Sequence, residues 1–268
     1  MGKPLISVVI PTKNSASTLG LCLASLDSQS FRDFELIIVD AFSTDETKEI
    51  AERSIARYFT CGASLTAARN QGFSKAKGRI FVSIDSDMIL ENSVLGDIAK
   101  NIPENDALII PEIGYGTNFL SRCKDLEKRC YIGDGVIESS RAFSRETFEE
   151  IGGYDPNLHF GEDWDLQQRL IPGRKIGRTS AQVMHNTQNL SIVHDLRKAY
   201  VYGKTLHNYL AKRNRQSADW LSPGNFFFIK HFDKISREPM HALGLVMIKG
   251  LEYSAGLMGF VGEFFKRR

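Results

Sequence analysis

Three short runs of this chain, Leu5 to Ile10, Glu35 to Val39 and Arg79 to Ile84, are dense in β-branched residues, and each stops at a proline or an aspartate. Apolar runs of that length with little polar alternation are what strands covered on both faces look like. Segments with helical spacing lie between them: Ser15 to Ser28, then Thr44 to Arg53 behind a Ser43/Glu46 capping-box pattern, then a helix that Ser64 caps and Gly78 ends. With Ala56 to Phe59 as a further strand, strands and helices alternate in units of roughly 25 to 40 residues, which implies parallel pairing through right-handed crossovers. The fold class is α/β, a mostly parallel sheet flanked by helices.

An open parallel sheet binds its ligand beyond the carboxyl ends of its strands. The residues expected to converge there are Thr12, Lys13 and Asn14 after the first strand, Asp40 after the second, and Asp85 and Asp87 after the fourth. No dinucleotide fingerprint accompanies them, because Gly114-Tyr115-Gly116 has Phe119 where a third glycine is needed. No GxxxxGK[ST] loop occurs either. Dehydrogenase and P-loop readings lose their main support.

Further along, the pattern predicts a strand over Asp106 to Pro111, a helix over Thr117 to Tyr131, an extended segment from Gly135 to Phe143, and a Ser144-capped helix closed by Gly152-Gly153. A short helix should begin within Gly161 to Asp165 and end near Leu170, ahead of Pro172-Gly173. Lys175 to Met184 alternates as one strand and delivers His185; from Ser191 the pattern is helical.

Asp85-Ser86-Asp87 brings two carboxylates together at a strand end, where they repel unless a cation or a shared proton relieves them. Hard oxygen donors suit Mg²⁺ or Mn²⁺, and one imidazole tilts the choice toward Mn²⁺. Each signal also has an ordinary structural explanation. A DxD can cap a helix, Glu162-Asp163 can complement a helix dipole, and His185 or Arg69-Asn70 can sit on a solvated face. What favours chemistry at Glu162-Asp163 is the loop around it, Gly153-Tyr154 and His159-Phe160-Gly161, since loops on rigid scaffolds carry catalytic groups.

Taken in order, VVIPTKN, IIVDAFSTDET, ARNQGFSKAKGRIFVSIDSD and GGYDPNLHFGEDWDLQQRL resemble glycosyltransferase family 2, inverting sugar-nucleotide transferases of the Rossmann-like GT-A fold, over roughly residues 5 to 190. The resemblance implies that Pro11, Thr12, Asn14, Asp40 and Arg69 line the nucleotide pocket. It implies that Asp85 approaches the ribose or the metal, that Asp87 and His185 bind Mn²⁺ or Mg²⁺, and that Asp163 is the catalytic base with Glu162 beside it. Displacing a nucleoside diphosphate then needs only one base, and attack from the opposite face inverts the anomeric carbon. Two departures stand out. Asp40-Ala41-Phe42 lacks the second acid that usually ends this strand, and Gln167-Gln168-Arg169-Leu170 does not match the Gln-x-x-Arg-Trp of processive members.

Charge divides the chain. Residues 190–268 carry 13 basic and 6 acidic side chains, net +7, whereas residues 1–189 carry 21 basic and 26 acidic, net −5. We expect two regions, a catalytic domain over 1–190 and a basic, amphipathic helical extension over 191–268. The acidic body argues against nucleic acid as the tail's partner. Arg197, Lys198, Lys204, Lys212, Arg213 and Arg215, interleaved with tyrosines, fit lipid headgroups or a phosphate-bearing acceptor. Over Met240 to Phe265 the uncharged runs reach about ten residues, short of the ~20 that span a bilayer. Wound as a helix, Met240, Met247, Leu251, Met258 and Phe265 share one side and Lys249, Glu252, Gly256, Gly259 and Glu263 the other, which suits lying along an interface. Phe226 to Phe228 and Lys266 to Arg268 fit insertion beside anionic headgroups.

Cys22, Cys61, Cys123 and Cys130 lack CxxC spacing and are expected to be reduced thiols of a cytosolic protein. The amino-terminal apolar run is too short for a signal peptide, and Ile6 stands where a myristoylation signal needs Ser or Thr. The expected activity is transfer of one sugar from a UDP- or GDP-sugar to a lipid-linked or membrane-proximal acceptor, by a protein peripherally attached to the cytosolic membrane face. The alternatives are a sugar-phosphate nucleotidyltransferase, which would need a glycine-rich, arginine-bearing loop where PTKNSAST stands, and a catalytically silent sugar-nucleotide-binding scaffold.

Overall fold

The computed structural model describes residues 2–62, 64–134, 137–158, 160–188, 190–212 and 227–266. Gly135, His159, Arg213, Arg215, Phe226, Arg267 and Arg268 lie outside the described residues. The first half runs β1 (Ile6–Thr12), α1 (Ala16–Asp27), β2 (Phe34–Asp40), α2 (Thr47–Glu52), β3 (Arg57–Thr60), α3 (Leu65–Lys75), β4 (Ile80–Ser83) and β5 (Met88–Leu90). Next come α4 (Val94–Asn101), β6 (Ala107–Ile109), β7 (Glu112–Tyr115), α5 (Phe119–Tyr131), β8 (Ala142–Ser144), α6 (Arg145–Glu150), α7 (Glu162–Leu170), β9 (Ile176–Arg178) and β10 (Val183–Asn186). The chain continues with α8 (Ile192–Lys212), α9 (Phe227–Lys230), α10 (Phe232–Ile235) and α11 (Pro239–Lys266).

Two compact units result, and they interleave along the sequence rather than dividing it once near residue 190. The first holds residues 1–113, 138–156 and 162–186; the second holds 114–137, 157–161 and 187–268.

In the first unit a seven-stranded sheet has the order β3-β2-β1-β4-β8-β6-β9. β1 pairs in parallel with β2 and β4, whereas β8 is antiparallel to both β4 and β6. Strand alternation sorts the core into two layers. Ile6, Val8, Ile10, Leu36, Ile38, Ile80 and Val82 pack with α1 and α4 on one face, and Val9, Ile37, Val39 and Phe81 pack with α3, α6 and α7 on the other. Both faces are covered, as the uninterrupted apolar runs require. A smaller sheet, β5-β10-β7, follows the DxD segment.

Two expectations are corrected. Ser43 does not cap α2: the helix starts at Thr47, and the Ser43 hydroxyl donates instead to Asp40 Oδ1 at 2.5 Å. Asp45 takes over that end, accepting from the Thr47 amide at 3.1 Å and the Ala16 amide at 3.0 Å. Lys175 to Met184 is not one strand. β9 pairs with β6 and β10 with β5, in different sheets, because Thr179 bends the chain with its hydroxyl on the Ala181 carbonyl.

In the second unit α11 packs on α5 and α8. The helices α8 and α11 touch backbone to backbone. A Cβ at Gly203 would sit 1.9 Å from the Gly256 carbonyl oxygen, and one at Gly259 would sit 2.0 Å from that of Tyr200. α11 runs 28 residues and is, by length and composition alone, long enough to cross a membrane. This corrects the linear reading of runs too short to span, which counts Lys249 and Glu252 as interruptions. Both point into the unit, so they do not break the outer surface of the helix.

Candidate active site

Asp85 and Asp87, beyond the fourth strand, meet Arg69, Glu162, Asp163 and His185 in one contact chain within the first unit. Arg69, from the middle of α3, is buried. Its Nη2 donates to Asp85 Oδ1 at 2.6 Å and its Nη1 to Glu162 Oε1 at 2.7 Å, with Asp163 Oδ1 at 3.8 Å. Asp85 meets a second guanidinium at its other oxygen, Arg141 Nη1 at 3.2 Å. Arg141 Nη2 continues to Glu112 Oε2 at 3.5 Å; Glu112 Oε1 lies 2.6 Å from His185 Nδ1, and His185 Nε2 lies 3.0 Å from Asp87 Oδ2. The base candidate at the start of α7 and the DxD at the end of β4 therefore share one site, although 76 positions separate Asp87 from Asp163.

Local structure explains the placement. Asp85 and Asp87 follow β4, and His185 lies on β10 opposite Met88 of β5, which carries its imidazole back over Asp87. Asn70, beside Arg69 on α3, donates from Nδ2 to the Tyr154 carbonyl at 2.6 Å and accepts from the Tyr154 amide at 3.0 Å. That pair ties the Gly153-Tyr154 turn to the helix. The Arg69 guanidinium also lies over the Tyr154 ring, 5.5 Å from its centroid.

Arg141 and Glu112 are the members that sequence reasoning missed. Arg141 directly precedes β8, the antiparallel strand inserted beside β4, and only that long-range pairing brings it to Asp85. Glu112 opens β7, in a segment with no motif. A charged residue at the edge of an apolar strand was the one available signal, and such residues are common.

Electrostatics differ along the chain of contacts. Burial alone would raise the Asp85 carboxyl, but Arg69 and Arg141 hold it well below the usual carboxylate range. Asp163 goes the other way. Burial raises it, Arg69 pulls it down and Glu162 pushes it up again, with a net rise to about 6. Five carboxylates (Asp85, Asp87, Glu112, Glu162, Asp163) face two guanidiniums, so a further cation would be favoured here before a diphosphate could enter. Among the described residues no group of three His, Cys, Asp or Glu side chains is arranged to hold an ion by itself. The donors that fit best are Asp87 and His185, a carboxylate and an imidazole side by side, with the other imidazole nitrogen on Glu112 in the manner of a carboxylate–histidine–metal triad. Asp85, engaged at both oxygens by arginine, fits an ion less well.

The loops after β1 and β2 form a second constellation. Asp40 is buried and accepts from Thr12 Oγ1 at 2.8 Å, from Ser43 Oγ and from the Ser43 amide at 2.8 Å. Asn14, at φ +50°, receives the Thr44 amide on Oδ1 at 2.8 Å, and its own amide donates to Ser43 Oγ at 2.7 Å. Pro11 is buried at the end of β1. Ala41, where a second acid was expected, is buried, and its amide donates to the Thr12 carbonyl at 2.8 Å. Phe42 follows at φ +55° with its ring exposed.

Residues 7–152 match the family described as Glycosyl transferase family 2. The chain belongs to that family. A PGL/p-HBAD biosynthesis glycosyltransferase of Mycobacterium bovis is 32% identical over 188 residues, covering 64% of this chain and 71% of the relative. Among solved structures, the mannosyltransferase PcManGT from Pyrobaculum calidifontis, in complex with GDP-Man and Mn²⁺, superposes with a TM-score of 0.66 at 16% identity, covering all of this chain and 89% of that one. S. aureus TarS 1-349 in complex with UDP-GlcNAc gives 0.57 at 19% identity, covering 98% and 91%. These likenesses show a GT-A-like fold, and with the family they make this glycosyltransferase an enzyme of sugar transfer. The nucleotidyltransferase and silent-scaffold alternatives lose their ground.

Proposed function

We propose that the enzyme moves one sugar, with inversion, from a UDP- or GDP-sugar to a lipid-linked or membrane-proximal acceptor at the cytosolic face of a membrane, with Mn²⁺ or Mg²⁺ as cofactor. The observation that carries the transfer chemistry is the continuous contact chain from Asp163 and Glu162 through Arg69, Asp85, Arg141, Glu112 and His185 to Asp87.

In this reading Pro11, Thr12, Asn14 and Asp40 shape the nucleotide-binding loops. Arg69 sets the spacing between Asp85 and the Glu162-Asp163 pair. Asp87 and His185 hold the divalent ion, which when bound would neutralise charge on the departing diphosphate. Asp163 takes the proton from the acceptor hydroxyl as that oxygen attacks the anomeric carbon from the face opposite the diphosphate. Glu162, held by Arg69, orients the acceptor. A base whose carboxyl titrates near 6 is mostly ionised at neutral pH, yet basic enough to accept the proton.

The acceptor side rests on the basic C-terminal region and on the apolar helix α11, and the setting on four free cysteines, three of them buried, as a reducing compartment leaves them. The donor is tested by calorimetry of UDP- and GDP-sugars with and without Mn²⁺. The stereochemistry is tested by NMR of the product. An α-linked donor should give a β-linked product, and retention would reject the single-base mechanism.

A further inference from the structure

α11 is built inside out. From Met240 to Phe265 every residue on its exposed side is uncharged, and most are large and apolar, including Met247 (64% exposed), Leu257 (62%), Met258 (62%) and Phe265 (69%). The charged residues of that stretch, Lys249, Glu252 and Glu263, all lie on the partly buried side. Lys249 pairs with Glu127 of α5 and with Glu252 at 3.4 Å, and Lys124 of α5 reaches Glu252 at 2.5 Å and Glu127 at 3.1 Å. A water-facing helix has the reverse arrangement, with its polar residues outward.

The outer arc covers about half the helix circumference and runs roughly 39 Å at 1.5 Å per residue. Contiguous apolar surface of that extent on a folded domain marks an interaction face. Its ends are basic and exposed, Arg237 before the helix and Lys266 at its last turn, in the region whose net charge is +7. Apolar surface flanked by cations is complementary to the boundary of an anionic bilayer.

We propose that α11 docks in the plane of an anionic lipid bilayer, sinking its outer arc into the headgroup–acyl boundary while its charged face stays joined to α5 and α8. The helix is long enough to span, but spanning would carry the Lys124–Glu127–Lys249–Glu252 cluster into hydrocarbon or tear it apart. The glycine contacts with α8 at Gly203 and Gly259 oppose such a detachment. This deepens the acceptor reading above and rests on it for its biological sense. Vesicle binding is measured without donor or acceptor, so its failure leaves the transferase reading intact.

The test is flotation of the full chain with phosphatidylcholine vesicles, with and without phosphatidylglycerol, beside a Met247→Glu/Leu257→Glu variant. Both positions face outward, so the variant should melt like the wild type. Expected are flotation that depends on phosphatidylglycerol, release by alkaline carbonate, and a fall of at least about tenfold in the variant. Flotation equal in both proteins, or absent from the wild type, overturns the proposal. Retention through carbonate overturns it in favour of a spanning helix. A vesicle-free dimer that the variant dissociates, without flotation, overturns it in favour of a second copy of the chain.

Discussion

Two partly buried charge clusters, one in each compact unit, are built to opposite rules. In the second unit Lys124 and Lys249 face Glu127 and Glu252, two cations to two anions, and the Tyr131 hydroxyl adds a bond to Glu127 at 2.6 Å. Burial opposes the Glu127 charge, but Lys249 and Lys124 outweigh it and lower the carboxyl to about 2. In the first unit five carboxylates share two guanidiniums and an imidazole. The balanced cluster joins helices; the unbalanced one holds the Asp163 carboxyl up at about 6 and would favour a further cation. Burial pushes both carboxyls up, so the difference between Glu127 and Asp163 comes from the charges around them.

The strongest way to break that contrast is Asp163→Asn. If Asp163 is the base, as proposed, the change should lower kcat by about 10² to 10⁴ while donor affinity by calorimetry stays close to wild type. Surviving turnover would show that another group accepts the proton. The balanced cluster should answer in stability instead. Glu127→Ala, which leaves two lysines to the single carboxylate of Glu252, should cost about 3 kcal/mol in chemical denaturation while leaving kcat of the folded fraction unchanged. A loss of activity without a loss of stability would show that both clusters serve the chemistry.

Glu112→Gln sharpens the comparison inside the first unit. If Glu112 orients His185, Mn²⁺ affinity measured by electron paramagnetic resonance should fall about 10- to 100-fold, and the effect should vanish in a His185→Ala background. An equal effect in both backgrounds would assign Glu112 to folding alone. The smallest expected effect is in the pH profile. In its proposed role as base Asp163 would work only when ionised, and its carboxyl is raised to about 6, so kcat/KM should climb through that pH and fall about tenfold per pH unit below it. A limb near pH 4 would mean that an unshifted carboxylate does the work.

Much of the first unit is legible without coordinates. β1, β2 and β4 announce themselves because strands covered on both faces cannot alternate, α1 falls where spacing puts it, and α3 where its cap and spacing put it. Ser64 does cap α3, accepting from the Ala67 amide at 3.2 Å, and Ser144 caps α6 at 3.1 Å. Ser43 does not follow its local pattern because its hydroxyl oxygen accepts from the Asn14 amide, a partner 29 residues away, while the hydroxyl donates to Asp40. β9 and β10 look like one strand since alternation says nothing about which sheet a residue joins.

The primary structure alone determined the order of the early strands, the polar groups at their carboxyl ends and the existence of two opposed faces on α11, because all of these follow from local periodicity. Only the tertiary structure decided that Arg141 and Glu112 link Asp85 to His185 and so to Asp87, since an antiparallel strand recruited from far along the chain brings Arg141 there. It also decided that the charged face of α11 turns inward. Helical spacing separates the faces of a helix, but the neighbours that satisfy its charges decide which face meets the protein and which is left outside.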